Sequence, residues 1–75
     1  MKIEVLGPGC VDCITLYENT KQALAESGKS GEVVKVVDIA TMLKYGILSP
    51  PALVVDGKVK FSGKLQTVSE IKEML

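Results

Sequence analysis

The feature that most restricts the fold is a helical segment with an apolar, strand-like stretch on each side of it. Residues 1–6 predict a buried strand, and residues 32–37 are rich in valine, which favours a second strand. Between them, from about Val11 to Ser27, apolar side chains recur at helical spacings of three and four. A helix that joins two strands of one sheet predicts a parallel, right-handed crossover.

Glycines and a capping residue divide the middle of the chain. Gly28 stands where a helix end favours a left-handed residue, and Gly46 ends a second helical stretch. Asp38 is placed to cap this second helix, which is predicted over about residues 39–45. The side chains expected to face the core from it are Ile39, Met42 and Leu43.

The last third of the chain combines a hairpin with a capped helix. Residues 52–55 and 59–61 predict two strands, and Asp56-Gly57 between them is typical of a type I′ turn, which needs positive φ at both positions. Thr67 and Glu70 have the spacing of a capping box at the start of a final helix. The residues expected to face inward from this helix are Val68, Ile71 and Leu75.

These elements run in the order β-α-β-α-β-β-α along 75 residues. The crossover and the hairpin predict an α/β fold with a four-stranded mixed sheet and helices on both faces. A chain of this length has room for one hydrophobic core, so residues 1–75 are expected to form a single domain.

Charge and apolar patterning exclude several classes of function. Nine basic and nine acidic residues cancel, which removes the electrostatic basis for binding nucleic acid or an anionic membrane. No apolar run is long enough for a transmembrane helix, and the apolar stretch at the N-terminus is too short for a signal peptide. We therefore expect a cytoplasmic protein and, from its mixed surface charge, a monomer.

The only two cysteines, Cys10 and Cys13, are spaced Cys-x-x-Cys where the first strand is followed by a helix. In a reducing compartment such a pair is more often catalytic or metal-binding than a structural disulfide. The helix dipole favours a thiolate at Cys10, whereas the carboxylate of Asp12 opposes it. Two chemistries stay open here: electron exchange with a disulfide, or the sharing of a soft metal ion.

The element order, the position of the cysteine pair and a proline before the third strand resemble the thioredoxin fold over nearly the whole chain. The length and the Gly-x-Gly-Cys-x-x-Cys start are most similar to small prokaryotic thioredoxin-like "redox-active disulfide" proteins, which are the size of glutaredoxins. The resemblance implies a thiol–disulfide oxidoreductase whose only redox group is the Cys10–Cys13 pair, with no added cofactor or metal. Its expected partners are disulfide-containing proteins and a thioredoxin-reductase-like or other thiol reductant.

The resemblance also implies roles for individual residues. Cys10 is the nucleophile, Cys13 is the resolving cysteine and Pro51 is the cis-proline near them. Gly9 and the Pro50-Pro51 segment are expected to bind the substrate.

The chain departs from the family pattern at the same site. Gly9 stands where typical thioredoxins have tryptophan, and Val11-Asp12 differs from the usual residues between the cysteines. Pro50 lacks the backbone N–H that the family offers to its substrate at this position. One of the two expected substrate hydrogen bonds must therefore be missing or supplied elsewhere.

Glu4 is an acidic residue inside an apolar strand, six residues before Cys10. By the resemblance it matches a buried acidic position that relays protons to the resolving cysteine, which makes it a candidate base for Cys13. The alternative, which we favour, is a solvated residue at the edge of the sheet.

A Cu(I) carrier is the alternative function. Small copper chaperones have about this length and place Met-x-Cys-x-x-Cys after their first strand, where thiolates select Cu(I). This chain has Pro8 in place of that methionine, and it is predicted to end in a helix where the chaperones end in a strand. Pro51 would also block further metal ligands, so we favour redox chemistry.

Overall fold

The computed structural model describes residues 1–75, and its four strands and three helices follow the predicted order. They are β1 (Lys2–Leu6), α1 (Val11–Ser27), β2 (Glu32–Val36), α2 (Ile39–Lys44), β3 (Ala52–Val55), β4 (Lys58–Ser62) and α3 (Val68–Met74). This order confirms the predicted α/β class. The prediction was possible because local spacing and capping residues define these elements.

The sheet has the strand order β2-β1-β3-β4, so β1 lies in its interior. Strand β1 pairs in parallel with β2, as a helical crossover requires, and antiparallel with β3. The β3–β4 hairpin turns at Asp56 and Gly57, whose φ angles of 50° and 83° fit the predicted type I′ turn. The mixed four-stranded sheet is thereby confirmed.

Different helices cover the two faces of the sheet. Ile3 and Val5 of β1 belong to one apolar cluster with side chains of α1 and α3, among them Leu16. Leu6 belongs to a second cluster that includes Met42 of α2. Side chains alternate along a strand, so this separation shows which residues of β1 face α1 and which face α2.

Only part of α2 is buried as the sequence predicted. Met42 is buried, but Ile39 and Leu43 are 67% and 61% exposed, so the expectation that both face the core is wrong. The helix has six residues and turns only a narrow stripe toward the sheet. Ile47 and Tyr45, which follow the helix, pack in the same cluster.

The helix ends follow the capping predictions. Gly28 has a left-handed φ of 72° at the end of α1. Asp38 accepts backbone N–H groups at the start of α2, and Thr67 and Glu70 make both bonds of the capping box of α3. None of the three helices is long and apolar enough to cross a membrane.

Candidate active site

Cys10 is the N-cap residue of α1 and has an extended backbone. Gly9 precedes it with a φ of 92°, a conformation that glycine adopts readily, and this turns the chain from β1 into the helix. Cys10 Sγ accepts the backbone N–H of Cys13 at 3.2 Å, in the manner of an N-cap side chain. The sulfur therefore lies at the positive end of the helix dipole, where a thiolate is favoured.

Cys10 and Cys13 form a disulfide, with their Cα atoms 5.0 Å apart. The two residues differ in access, because Cys10 is exposed and Cys13 is only 5% exposed. A large disulfide-bearing molecule can reach Cys10 directly. Cys13 is placed to react with a group already attached to Cys10.

Gly7, directly after β1, allows Cys13 to pack against the end of the strand. Gly7 is buried, and its N–H donates to the carbonyl of Val36 at 2.9 Å. A Cβ at Gly7 would overlap Cys13 Sγ and would lie 3.0 Å from Cys13 Cβ. The sequence indicated only a strand break here, because the contact depends on how the side chain of Cys13 is placed in the folded chain.

Two prolines lie beside the cysteine pair. The Pro50–Pro51 peptide bond is cis, Pro51 is buried and Pro50 is exposed. The Pro51 carbonyl accepts the N–H of Gly63 at 2.9 Å, which ties this loop to the residue after β4. Pro50 Cβ lies 3.8 Å from the point where a Cβ of Gly7 would stand, so the loop approaches the end of β1 beside Cys13.

An apolar groove adjoins the Pro50 loop on the α2 side of the site. Its lining includes Pro8, Pro50 and Met42 together with the exposed side chains of α2 and the loop after it, which are Ile39, Leu43 and Leu48. The site thus consists of an exposed Cys10, a shielded Cys13, an exposed Gly9 and a proline loop next to an apolar groove.

Glu4 lies on the α2 face of the sheet, beside Tyr45. The expectation that it stands at a sheet edge is wrong, because β1 is flanked by β2 and β3. It is half-buried, and the Tyr45 hydroxyl donates to Glu4 Oε1 at 3.0 Å. That bond, followed by burial and the charge of Glu4, raises the pKa of Tyr45 above its usual value. Since its neighbour Val5 faces α1, Glu4 points to the α2 face, and the side-chain hydrogen bond that it makes is the one from Tyr45.

The order of the elements differs from that of the metal-carrier alternative. The chain ends in α3, whereas the copper chaperones have the order β-α-β-β-α-β and end in a strand.

Comparison with known proteins gives a match over the full length. The family model described as "Thioredoxin domain" matches residues 1–75. A thioredoxin of Methanothermobacter thermautotrophicus is 36% identical over 75 residues, which cover 100% of this chain and 97% of that protein. A thioredoxin of Methanocaldococcus jannaschii is 38% identical over 73 residues, which cover 97% of this chain and 84% of that protein.

These matches cover both the fold and the segment that carries the cysteine pair, and nothing among them favours a metal-binding chaperone. The resemblance drawn from the sequence is therefore confirmed. The chain belongs to the thioredoxin domain family, and it is a dithiol–disulfide oxidoreductase.

Proposed function

We propose that this protein reduces disulfides in other proteins, with Cys10 as the nucleophile and Cys13 as the resolving cysteine. The observation that carries the proposal is the difference in access between the two residues, since Cys10 is exposed and Cys13 is 5% exposed. Only the exposed sulfur can meet a folded partner, and the helix N-terminus favours its thiolate.

The reaction proceeds by two exchanges. Cys10 thiolate attacks a substrate disulfide, a mixed disulfide forms and the first substrate sulfur leaves as a thiolate. Cys13 then attacks Cys10 Sγ, which closes the Cys10–Cys13 disulfide and releases the second substrate thiol. An external thiol reductant, such as a thioredoxin-reductase-like protein, returns the pair to the dithiol.

Substrate contacts are proposed at Gly9, Pro50 and Pro51. Gly9 is exposed and a Cβ there would meet no atom within 4 Å, so a substrate backbone has room to approach. Pro50 offers a carbonyl but no N–H. The adjoining apolar groove offers a substitute for the missing hydrogen bond, by burying apolar side chains that flank the substrate cysteine.

The proton relay from Glu4 to Cys13 stays a prediction. Glu4→Gln tests it, with release of substrate from the mixed disulfide as the measurement. A relay predicts slower release in the variant. The position of Glu4 on the α2 face, bonded to Tyr45, favours an unchanged rate.

The proposal extends to a single-domain monomer that acts in the cytoplasm. Its support is the net charge of zero, from nine basic and nine acidic residues, which favours neither nucleic acid nor an anionic membrane as a partner. Size-exclusion chromatography coupled to light scattering tests the monomer, and a second copy in the eluted particle would contradict it.

Reduction of insulin disulfides tests the function, with dithiothreitol as the reductant that recycles the pair. Cys10→Ser should reduce the rate to that of dithiothreitol alone. Cys13→Ser should accumulate a mixed disulfide, seen by mass spectrometry as an adduct on Cys10. Full activity of Cys10→Ser, or an adduct formed on Cys13 in the unmodified chain, would contradict the assigned roles. Redox titration against glutathione then gives the direction of electron flow.

A further inference from the structure

We propose that Lys35 supplies the positive charge that holds Cys13 as a thiolate while it resolves the mixed disulfide, and that Tyr17 positions the Lys35 ammonium for this. The proposal rests on the roles given above to Cys10 and Cys13. From the sequence, Tyr17 is predicted to be a packing residue, and Lys35 stands in a valine-rich strand with no motif to mark it.

A cavity of about 210 Å³ lies beside Cys13, between the end of β1, the end of β2 and the start of α1. Its walls include Val5, Gly7, Ile14 and Val37, and Lys35 is its only charged lining residue. Apolar walls lower the local dielectric, so a charge acts more strongly across such a space than across bulk water. A water molecule needs about 30 Å³, so the cavity also has room for the proton of Cys13 to leave without a protein base.

The strand register brings Lys35 to the α1 face of the sheet. Lys35 pairs with Val5, and Val5 packs in the cluster that includes α1. Paired residues of neighbouring strands point to the same side. Lys35 Nζ lies 4.6 Å from the centroid of the Tyr17 ring.

Tyr17 keeps the Lys35 ammonium close to the part of α1 that carries Cys13. It follows Cys13 by four residues, so the two side chains lie on one face of α1, a turn apart. A cation over an aromatic face is attracted by the ring quadrupole, which keeps Lys35 beside the cavity and restricts its motion in solvent.

No carboxylate forms an ion pair with Lys35, and none lines the cavity beside Cys13. In β1 the one titratable side chain near the site is Glu4, which points to the α2 face. The Pro50-Pro51 loop carries no titratable side chain. On α1, Asp12 is the acidic neighbour of Cys13, and unlike Lys35 it does not line the cavity beside Cys13.

The step affected is the second exchange. The Cys13 thiol loses its proton to water, and the thiolate attacks Cys10 Sγ of the mixed disulfide. The Cys10–Cys13 bond forms while the bond to the substrate sulfur breaks, and the electron pair of that bond leaves with the substrate thiolate, which takes a proton from water. The protein dithiol is oxidised by two electrons and the substrate is reduced by two. Lys35 stabilises the charge that Cys13 carries before the attack.

A single-thiol background isolates Cys13. In Cys10→Ser, the rate of Cys13 alkylation by iodoacetamide is measured from pH 5 to 11 by mass spectrometry. Adding Lys35→Met should raise the pH midpoint of alkylation by at least about half a unit, because a nearby positive charge favours the ionised thiol. That shift is about a threefold loss of rate below the midpoint. Lys35→Arg should restore the midpoint.

Lys21→Met is the matched control. Lys21 Nζ lies 5.3 Å from the same Tyr17 ring, but Lys21 lines a different cavity, away from Cys13. Its removal should leave the midpoint unchanged. Tyr17→Leu should move the midpoint in the same direction as Lys35→Met, whereas Tyr17→Phe, which keeps the ring face, should not.

An unchanged midpoint in Lys35→Met, or an equal shift in Lys21→Met, would overturn the proposal. Each variant is checked by urea unfolding, and Lys35→Gln gives a second neutral side chain if the methionine variant does not fold. The pH midpoint of Cys13 alkylation is measured without any insulin reduction, so the role of Lys35 and the proposed function are tested separately. Loss of insulin reduction in the unmodified chain overturns the proposed function, whereas an unshifted midpoint overturns only the role of Lys35.

Discussion

Substituting Gly7 by alanine should disturb the active site through a single methyl group. Gly7 is buried at the end of β1, and its N–H is held by the carbonyl of Val36. Its φ lies outside the positive range, so alanine meets no backbone strain there. The added Cβ would overlap Cys13 Sγ and would lie 3.0 Å from Cys13 Cβ. The effect is therefore one of packing against Cys13 alone.

The size of the effect depends on the redox state. Carbon atoms in contact are normally about 3.5–4.0 Å apart, so either the strand end or Cys13 must move. In the oxidised protein the disulfide fixes Cys13, and overpacking of this kind costs about 1–3 kcal/mol. In the reduced protein the thiol can rotate away, and the cost is smaller. The oxidised form loses more stability, so the reduction potential should become less negative, by about 30 mV for each 1.4 kcal/mol of difference.

Urea unfolding of both redox states and a glutathione titration measure these quantities. Gly9→Ala is the matched control, because its φ of 92° strains any L residue while a Cβ there meets no atom within 4 Å. It should lose about 1–2 kcal/mol equally in both states and leave the potential unchanged. If Gly7→Ala also loses the same stability in both states, or none in the oxidised state, the contact with Cys13 does not act as described.

Three further predictions concern the scaffold. Thr67→Ala removes half of the capping box of α3 and should cost about 1 kcal/mol in urea unfolding, with recovery in Thr67→Ser; equal losses in the two variants would contradict the cap. Gly57→Ala places a side chain at a φ of 83° and should cost about 1 kcal/mol, so an unchanged urea midpoint would count against the strained turn. Tyr45→Phe should lower the urea midpoint at pH 7, because Glu4 loses its donor, and Glu4→Gln, which keeps an acceptor, should lower it less. Because the pKa of Tyr45 is raised on folding, its contribution to stability is present below the unfolded value of about 10 and is lost as the pH rises through the folded pKa. Part of the alkaline loss of stability should accordingly be absent in Tyr45→Phe.

The sequence predicted the elements well, because their signals are local. Helical spacing from Val11 to Ser27, the capping box at Thr67 and the Asp56-Gly57 turn each lie within a short stretch, and each is present in the structure. The position of the cysteine pair at the start of α1 follows from the same local signals.

Local sequence patterns could not predict which face of the sheet or helix carries a given side chain. The sequence favoured a solvated Glu4 at the edge of the sheet, but β1 lies between β2 and β3, and Glu4 faces α2 and accepts the hydroxyl of Tyr45. Lys35 reaches the cavity only through the register between β1 and β2, which a helix of 17 residues separates in sequence. A helix as short as α2 contains too few turns for spacing to show which side is buried.

The unequal exposure of Cys10 and Cys13 also makes the reduced protein suitable for site-specific labelling with a single probe. A bulky maleimide added below one equivalent should modify the exposed Cys10 and spare the shielded Cys13. A spin label at that sulfur would stand where a disulfide-bearing partner has to arrive. Its distance to a second label on the partner would then report how the two proteins dock, before any bond between them has formed.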